Sequence, residues 1–454
     1  MSDFPGLIRG LILTLFAIGQ FSAGAQSSEK QPTRSPVTMQ FLAERKHQQE
    51  LAAKECGSFY GFQFTNRVEE SGIQFENHVV DDAGKNYQAA HYDHGNGLAV
   101  ADIDGDGLLD VYFTTQLGKN QLWRNLGHGK FEDITLQAGL ALEDQISVAA
   151  AFADIDNDGT PDLFVTTVRH GNHLFKNLGG GRFKDITREG GVDYNGHSSG
   201  IVFLDFDNDG LLDLFVTNVG VYTSNQKGPG GYYLAFPDAF AGHLFPERTE
   251  FSILYRNLGG GKFKDVSKEM HLHDGSWSGD ATFTDLNQDG YPDLYLVNMQ
   301  GDDHYYENQG GKGFVEKTSD LFPKTPWGAM GVKFFDYNRD GRLDLFVTDM
   351  HSDMTQMQTQ EALRFGSNIE KRKSEAYCSI QWTEEYLQGS SNNIFGNAFY
   401  QNEGNGHFRE ISDSLGVETY WPWGISVGDL NADGYEDIFV TAGMGYPFTR
   451  RVPQ

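Results

Sequence analysis

Two cysteines in 454 residues, Cys56 and Cys378, exclude a disulfide framework as the source of stability. They are open either to one bridge, tying an N-terminal arm to a late insertion, or to two free thiols; their spacing does not decide. Basic charge is also scarce. The 35 Lys and Arg stand against 63 Asp and Glu, for a formal charge of −28. That argues against nucleic acid and anionic membrane as partners, because both are recognised by a basic surface. Apolar runs are short. Leu11 to Ile18 follows Arg9 and precedes the small residues Ala23-Gly24-Ala25. It reads as a secretory signal peptide over residues 1–25, with an uncleaved anchor as the alternative. The mature chain then starts near Gln26, and no other segment is apolar enough to span a bilayer. The chain has no nucleophile elbow, phosphate-binding loop, HExxH pair or zinc-type Cys/His cluster.

What is present is a repeat. Asp102-Ile-Asp-Gly-Asp-Gly-Leu-Leu-Asp110 runs into the strand-like Val111 to Thr115, and the same loop recurs from Asp154, Asp205, Asp285, Asp336 and Asp429. Loop-to-loop spacing is 52, 51, 80, 51 and 93 residues. A period near 51 fits four short strands and their turns. The first strand is small and apolar (Gly97 to Ala101), which suits an inner position near a crowded axis. The second is β-branched and aromatic: Val111 to Thr115, then Leu163-Phe-Val-Thr166 and its kin. The third carries Leu122-Trp-Arg-Asn125, repeated as Leu174-Phe-Lys-Asn177 and Leu254-Tyr-Arg-Asn257. A Gly-rich turn leads to the fourth, Phe131 to Thr135. The fold class is therefore all-β, a β-propeller of four-stranded blades with six repeat units.

The two long spacings carry insertions, at residues 219–252 and 349–397. Both follow the second strand of their unit and so emerge from one face. The first is aromatic, with Tyr222, Tyr232, Tyr233, Phe236, Phe240 and Phe245, which either stack on a ligand or pack on one another. Trp277, Trp327 and Trp423 each precede an inner strand and either ring one end of the axis or pack structurally. Asp349, His351 and Asp353 alternate after a strand, as a second metal or acid–base site or as a polar strand end. Residues 26–61 form a polar leader with a candidate helix over 38–54, and residues 62–454 form the propeller. Phe64 to Gly72 matches Phe131 to Gly139, the last strand of a unit, yet precedes the first loop. A ring closed by an N-terminal strand in the last blade gives this offset. The sequence stops soon after the second strand of the sixth unit.

Oxygen donors at alternate positions, Gly at the sixth and an acid at the ninth describe a cage for a hard cation. The first three loops offer Asp102, Asp104, Asp106 and Asp110; Asp154, Asp156, Asp158 and Asp162; and Asp205, Asp207, Asp209 and Asp213. In the last three, Asn takes the third position: Asp285, Asn287, Asp289 and Asp293; Asp336, Asn338, Asp340 and Asp344; Asp429, Asn431, Asp433 and Asp437. A backbone carbonyl at the seventh position completes each set. By charge count the Asn-bearing loops bind more weakly. An EF-hand needs Glu at position twelve, where this chain has Phe113, Val165, Val216, Leu296, Val347 and Val440. Magnesium suits so many ligands less well than calcium. The loops hold 21 Asp at these positions, a third of all acidic residues, and six calcium ions would bring the charge from −28 to −16.

These loops, the Leu-Phe-x-Asn-x-Gly strands, and Trp327-Gly-Ala-Met-Gly331, Thr348-Asp-Met-His-Ser-Asp353 and Gly443-Met-Gly-Tyr-Pro447 resemble FG-GAP/VCBS repeats. Such repeats build integrin α-subunit propellers. The nearer likeness is to the cartilage acidic protein-like family of secreted propellers, whose bacterial members often carry a C-terminal ASPIC/UnbV domain. The resemblance covers about residues 62–447. It implies seven blades, up to six structural calcium ions in the loops present here, and an extracellular binding role. This chain lacks a seventh unit and an ASPIC/UnbV segment. The expected function is an exported (periplasmic, cell-surface or extracellular) adhesion or interaction module for a protein or glycan. The alternatives are a carbohydrate-active lyase or hydrolase on the same scaffold, and a truncated remnant.

Overall fold

The computed structural model describes residues 63–78, 80, 96–228, 230–236, 239, 245–322, 324–350, 393–394, 396–404, 406–417, 419, 422–431 and 433–442. All lie within the unit Ser35–Gln454. The candidate helix at 38–54, both cysteines, His351, Asp353 and Phe240 fall outside the described residues.

The repeat becomes a series of antiparallel meanders. The first sheet is β1 (Leu98–Ala101), β2 (Asp110–Phe113), β3 (Gln121–Asn125) and β4 (Phe131–Asp133). The second is β5 (Ser147–Ala153), β6 (Asp162–Thr167), β7 (His173–Asn177) and β8 (Phe183–Asp185). In the third, β9 (Ser198–Leu204) and β10 (Asp213–Asn218) are followed by an inserted hairpin, β11 (Thr223–Lys227) and β12 (Tyr233–Ala235). Strands β13 (Ile253–Asn257) and β14 (Phe263–Asp265) complete that sheet. The fourth is β15 (Ser278–Thr284), β16 (Asp293–Asn298), β17 (His304–Asn308) and β18 (Phe314–Glu316). A short β19 (Thr325–Pro326) precedes the fifth sheet, β20 (Ala329–Phe335) and β21 (Asp344–Asp349); β22 (Asn393–Ile394) pairs with β19, and β23 (Ala398–Asn402) and β24 (Phe408–Glu410) complete the fifth. Among the described residues the sixth sheet has two strands, β25 (Pro422–Gly428) and β26 (Asp437–Ala442).

The inner strands β1, β5, β9, β15, β20 and β25 pack against one another in that order, the arrangement of a β-propeller. They approach closely because their residues are small. A Cβ on Gly97 would lie 2.7 Å from Ala149 Cα and 2.8 Å from Val148 O, both backbone atoms that cannot yield. Gly97→Ala should therefore cost about 1–3 kcal/mol by forcing the first two sheets apart, measured as a lower urea midpoint with an unchanged slope.

The Thr that ends the Leu-Phe-Val-Thr pattern bonds one blade to the next. Thr114 Oγ1 donates to Val148 O (3.0 Å), Thr166 Oγ1 to Ser199 O (2.6 Å), Thr217 Oγ1 to Gly279 O (3.2 Å) and Thr348 Oγ1 to Trp423 O (2.8 Å). The fourth blade has Val297 at this place. The N-terminal segment touches both ends of the series. Val80 N donates to Gln116 Oε1 of the first blade (3.0 Å), and the Phe64 ring meets Phe439 of β26 with centroids 6.0 Å apart. Residues 63–67 form no strand, so the expected N-terminal strand pairing is replaced here by a side-chain contact.

Each inner strand runs into an acidic loop, and each second strand returns. The loops therefore lie at one end of the strands and the insertions at the other. At the insertion end Ile146, Val168, Val219, Trp277, Met299 and Met350, drawn from successive blades, form one apolar cluster. The inserted hairpin seats Tyr222, Ala235 and Ala239 in it, with Tyr232 and Phe236 packed alongside. Tyr222, Tyr232 and Phe236 thus pack on the protein, and Trp277 belongs to this core while Trp327 and Trp423 are half-buried. Arg169 fastens the hairpin, donating to Ser224 O (2.8 Å) and Asn225 Oδ1 (2.8 Å) and lying 3.6 Å over the Tyr233 ring.

Candidate metal centre

All six loops share one hydrogen-bond scheme. The first-position carboxylate accepts from the amides of positions five and six: Asp102 from Asp106 (3.1 Å) and Gly107 (2.8 Å), and Asp429 from Asp433 (3.0 Å) and Gly434 (2.8 Å). The Gly107 amide leads the interactions that hold the Asp102 carboxyl below its usual range. Position five accepts from the amide of position seven, as Asp106 does from Leu108 (2.8 Å). Position four takes φ near +60° in the middle loops, +58° at Asn157 and at Asn208. Their side chains link loop to loop: Asn157 Nδ2 donates to Gly210 O and Asn208 Nδ2 to Gly290 O, both at 2.8 Å.

The ninth position anchors the cage. Asp110 is buried; one carboxylate oxygen accepts from Ile103 N (3.0 Å) and the other from Asn125 N (2.7 Å). Asp162, Asp213, Asp293 and Asp344 repeat this with Asn177, Asn257, Asn308 and Asn402. Those Asn residues hold the ninth-position carboxylate in place, a role that the sequence reading missed. Their side chains also reach back to the preceding loop: Asn177 Nδ2 to Ile103 O (2.9 Å), Asn257 Nδ2 to Ile155 O (2.8 Å) and Asn308 Nδ2 to Phe206 O (2.8 Å). The signal was the Asn that closes every Leu-Phe-x-Asn strand.

Candidate ligands of positions one, three and nine converge in the first three loops. Oxygens of Asp102, Asp104 and Asp110 lie within 4.8 Å of one another, as do those of Asp154, Asp156 and Asp162, and of Asp205, Asp207 and Asp213. In the last three loops Asn287, Asn338 and Asn431 instead donate Nδ2 to Asp289 (3.2 Å), Asp340 (3.1 Å) and Asp433 (3.1 Å). Burial pushes the Asp213 carboxyl up to about 7 and those of Asp162 and Asp344 up to about 6. Asp104 Oδ1 is buried and accepts no hydrogen bond among the described residues. Oxygen-only donors, convergent carboxylates, an orphaned buried oxygen and an anchor whose charge burial opposes fit a hard divalent cation.

Away from the loops, the buried titratable groups make internal pairs. His197 Nδ1 lies 3.0 Å from Glu250, and Asp349 accepts from Gly396 N (3.1 Å). Asp274 is 3% exposed, and its Oδ2 receives His304 Nδ1 and Tyr306 OH, each at 2.5 Å. Burial alone would raise Asp274 and lower His304, but their mutual hydrogen bond and charge outweigh it and shift each the opposite way. His304, raised, stabilises below its ordinary pKa and loses that contribution as pH rises through the raised value. Asp274, depressed, stabilises above its ordinary pKa and loses that contribution as acid protonates it. The pair therefore contributes most between about pH 4 and about pH 6.5. His304→Gln should cost more stability at about pH 6 than at about pH 9, read from urea unfolding at both.

Fold and loops together define a repeat propeller with acidic, cation-fitted turns at one end. A profile of FG-GAP-like repeats matches residues 102–165, 154–216, 237–296, 285–347 and 384–440. These stretches take in more than half the chain, which belongs to the FG-GAP-like repeat family. It is 27% identical to cartilage acidic protein 1 of Xenopus tropicalis over 284 residues, 61% of this chain and 40% of that protein. Identity to the Homo sapiens protein of that name is 24% over 284 residues, 61% of this chain and 39% of that one. The chain thus spans about 40% of the length of these curated relatives. Among solved structures, an Agrocybe aegerita lectin that recognises non-reducing terminal N-acetylglucosamine aligns with a TM-score of 0.42 and 17% identity, over 76% of this chain and 74% of that one.

Proposed function

We propose that this chain is an exported, calcium-stabilised β-propeller that serves as a binding module for an extracellular protein or glycan. Residues 1–25 direct export, residues 26–61 act as a leader, and residues 62–454 form the binding domain. Each loop holds one calcium through its side chains at positions one, three, five and nine and the carbonyl of position seven. Bound calcium cancels the repulsion among these carboxylates and fixes the turn. The protein's own groups do the rest: the ninth Asp ties the loop to the third strand, and that strand's Asn ties it to the preceding blade. The ion is structural, so binding belongs to the opposite end, where the inserted hairpin lies.

The observation that carries this reading is the buried ninth carboxylate, repeated in register with its Asn partner from blade to blade. A turn meant only to solubilise has no reason to bury its acid. The test presents the full chain to a glycan array and a panel of extracellular matrix proteins, in millimolar calcium and in EDTA. Saturable binding that EDTA abolishes is expected. Turnover of a polysaccharide by catalytic amounts of the chain would overturn it in favour of a carbohydrate-active enzyme.

A further inference from the structure

The residue that precedes the third-strand Asn differs from blade to blade, and its side chain has three different fates. In the second blade, Lys176 Nζ lies inside the acidic loop, 2.7 Å from Asp156, 2.8 Å from Asp158 and 3.2 Å from Asp162. These are candidate metal ligands of positions three, five and nine. The Lys176 side chain is 16% exposed, and its ammonium draws the Asp158 carboxyl down to about 2. In the third blade, Arg256 pairs with Asp207 and lies 3.8 Å from Asp209. In the first blade, Arg124 turns away from its loop to Glu132, at 2.7 Å.

The cross-strand neighbour explains the difference. Arg124 stands opposite Glu132, whereas Lys176 stands opposite Lys184 and Arg256 opposite Lys264. An opposite charge across the ladder attracts the cation and a like charge repels it. Lys184 and Lys264 are themselves held by Glu189 (3.2 Å) and Glu269 (3.0 Å). Lys176 and Arg256 are thus left to the loops. In the fourth blade the residue is Glu307, bound to Lys317 at 2.7 Å and close enough to Asp289 to feel its charge.

We propose that Lys176 is an internal counterion of the second loop, occupying the space a divalent cation would take, so that this loop binds metal only by displacing the lysine. The proposal rests on the reading of the loops as calcium sites and sets their order of filling. The first loop, with four carboxylates and its Arg drawn off, fills first. The second and third fill late, although their Asp count alone would place them with the first. The expectation that only the Asn-bearing loops are weak is revised accordingly: each loop's affinity depends on the cross-strand pair beside it as well as on its own ligands.

The test counts calcium ions bound to the full chain by native mass spectrometry as free calcium is raised. Lys176→Met should move one binding step to about tenfold lower calcium or further, because ligand charge sets affinity in such loops. Adding Asp156→Asn to that variant gives the loop the Asn that the last three loops carry and should move that step back to higher calcium. Lys184→Glu touches no loop residue, yet should act in the same direction by drawing Lys176 out. Glu132→Lys should weaken one step by sending Arg124 into the first loop. If Lys176→Met and Lys184→Glu both titrate like the unaltered chain while Asp156→Asn moves a step to higher calcium, the counterion role is wrong and the metal reading stands. If Asp102→Asn and Asp156→Asn also change nothing, the loops are not calcium sites and both fall.

Discussion

Stripping divalent cations with EDTA should lower the melting temperature of the chain by roughly 10–20 °C. Each loop at free calcium about 100-fold above its dissociation constant contributes about 2.7 kcal/mol of stability by mass action. Three to six occupied loops then contribute about 8–16 kcal/mol. Unfolding entropy near 2.1 cal/mol/K per residue gives a unit of about 400 residues a slope of about 0.8 kcal/mol per degree. The expected fall is the ratio of these two quantities. It should reverse on adding calcium in excess, and magnesium should restore less, because it holds its waters and demands a tighter octahedral shell. A change below about 3 °C would mean that the loops stand without an ion.

The second large effect is independent of metal. Asp213 is buried, and its two carboxylate oxygens accept from Phe206 N (3.1 Å) and Asn257 N (2.8 Å). Asp213→Ala leaves two buried amides without acceptors, at about 1–3 kcal/mol each. The loss of about 2–6 kcal/mol should persist in EDTA, measured by urea unfolding. Asp213→Asn keeps the shape and one acceptor and should cost about half as much. By contrast, among the described residues Asp102 is bonded only within its own exposed loop, so Asp102→Asn should cost stability mainly when calcium is present. A cost for Asp213→Ala that vanishes in EDTA would show that Asp213 acts only as a ligand and not as the anchor of the turn.

The repeat was legible because its signals are short-range. Asp102 to Asp110, the β-branched run after it and the Gly-rich turns place each strand within a residue or two, and phase across six loops excludes chance acidic turns. The ligand candidates were legible for the same reason. What the chain order hides is any role set across blades. Asn177 stands 74 residues from Ile103, whose carbonyl it holds. Thr166 looked like an ordinary strand residue, yet its hydroxyl joins the second blade to the third. Lys176 lies 20 residues from Asp156, whose loop it enters, and stands opposite Lys184 across the ladder, a juxtaposition that chain order does not display. The aromatic insertion was ambiguous because stacking on a ligand and packing on the axial cluster call for the same residue types. The structure places Tyr222 and Phe236 against the core.

The central claim is that the acidic loops are calcium cages. It is tested most directly by long-wavelength anomalous diffraction from crystals of the chain grown in calcium. The expected result is a peak in the first loop bounded by Asp102, Asp104, Asp106, Asp110 and the Leu108 carbonyl, with matching peaks in other loops and the weakest beside Lys176. A folded chain with no anomalous peak in any loop at millimolar calcium would contradict it.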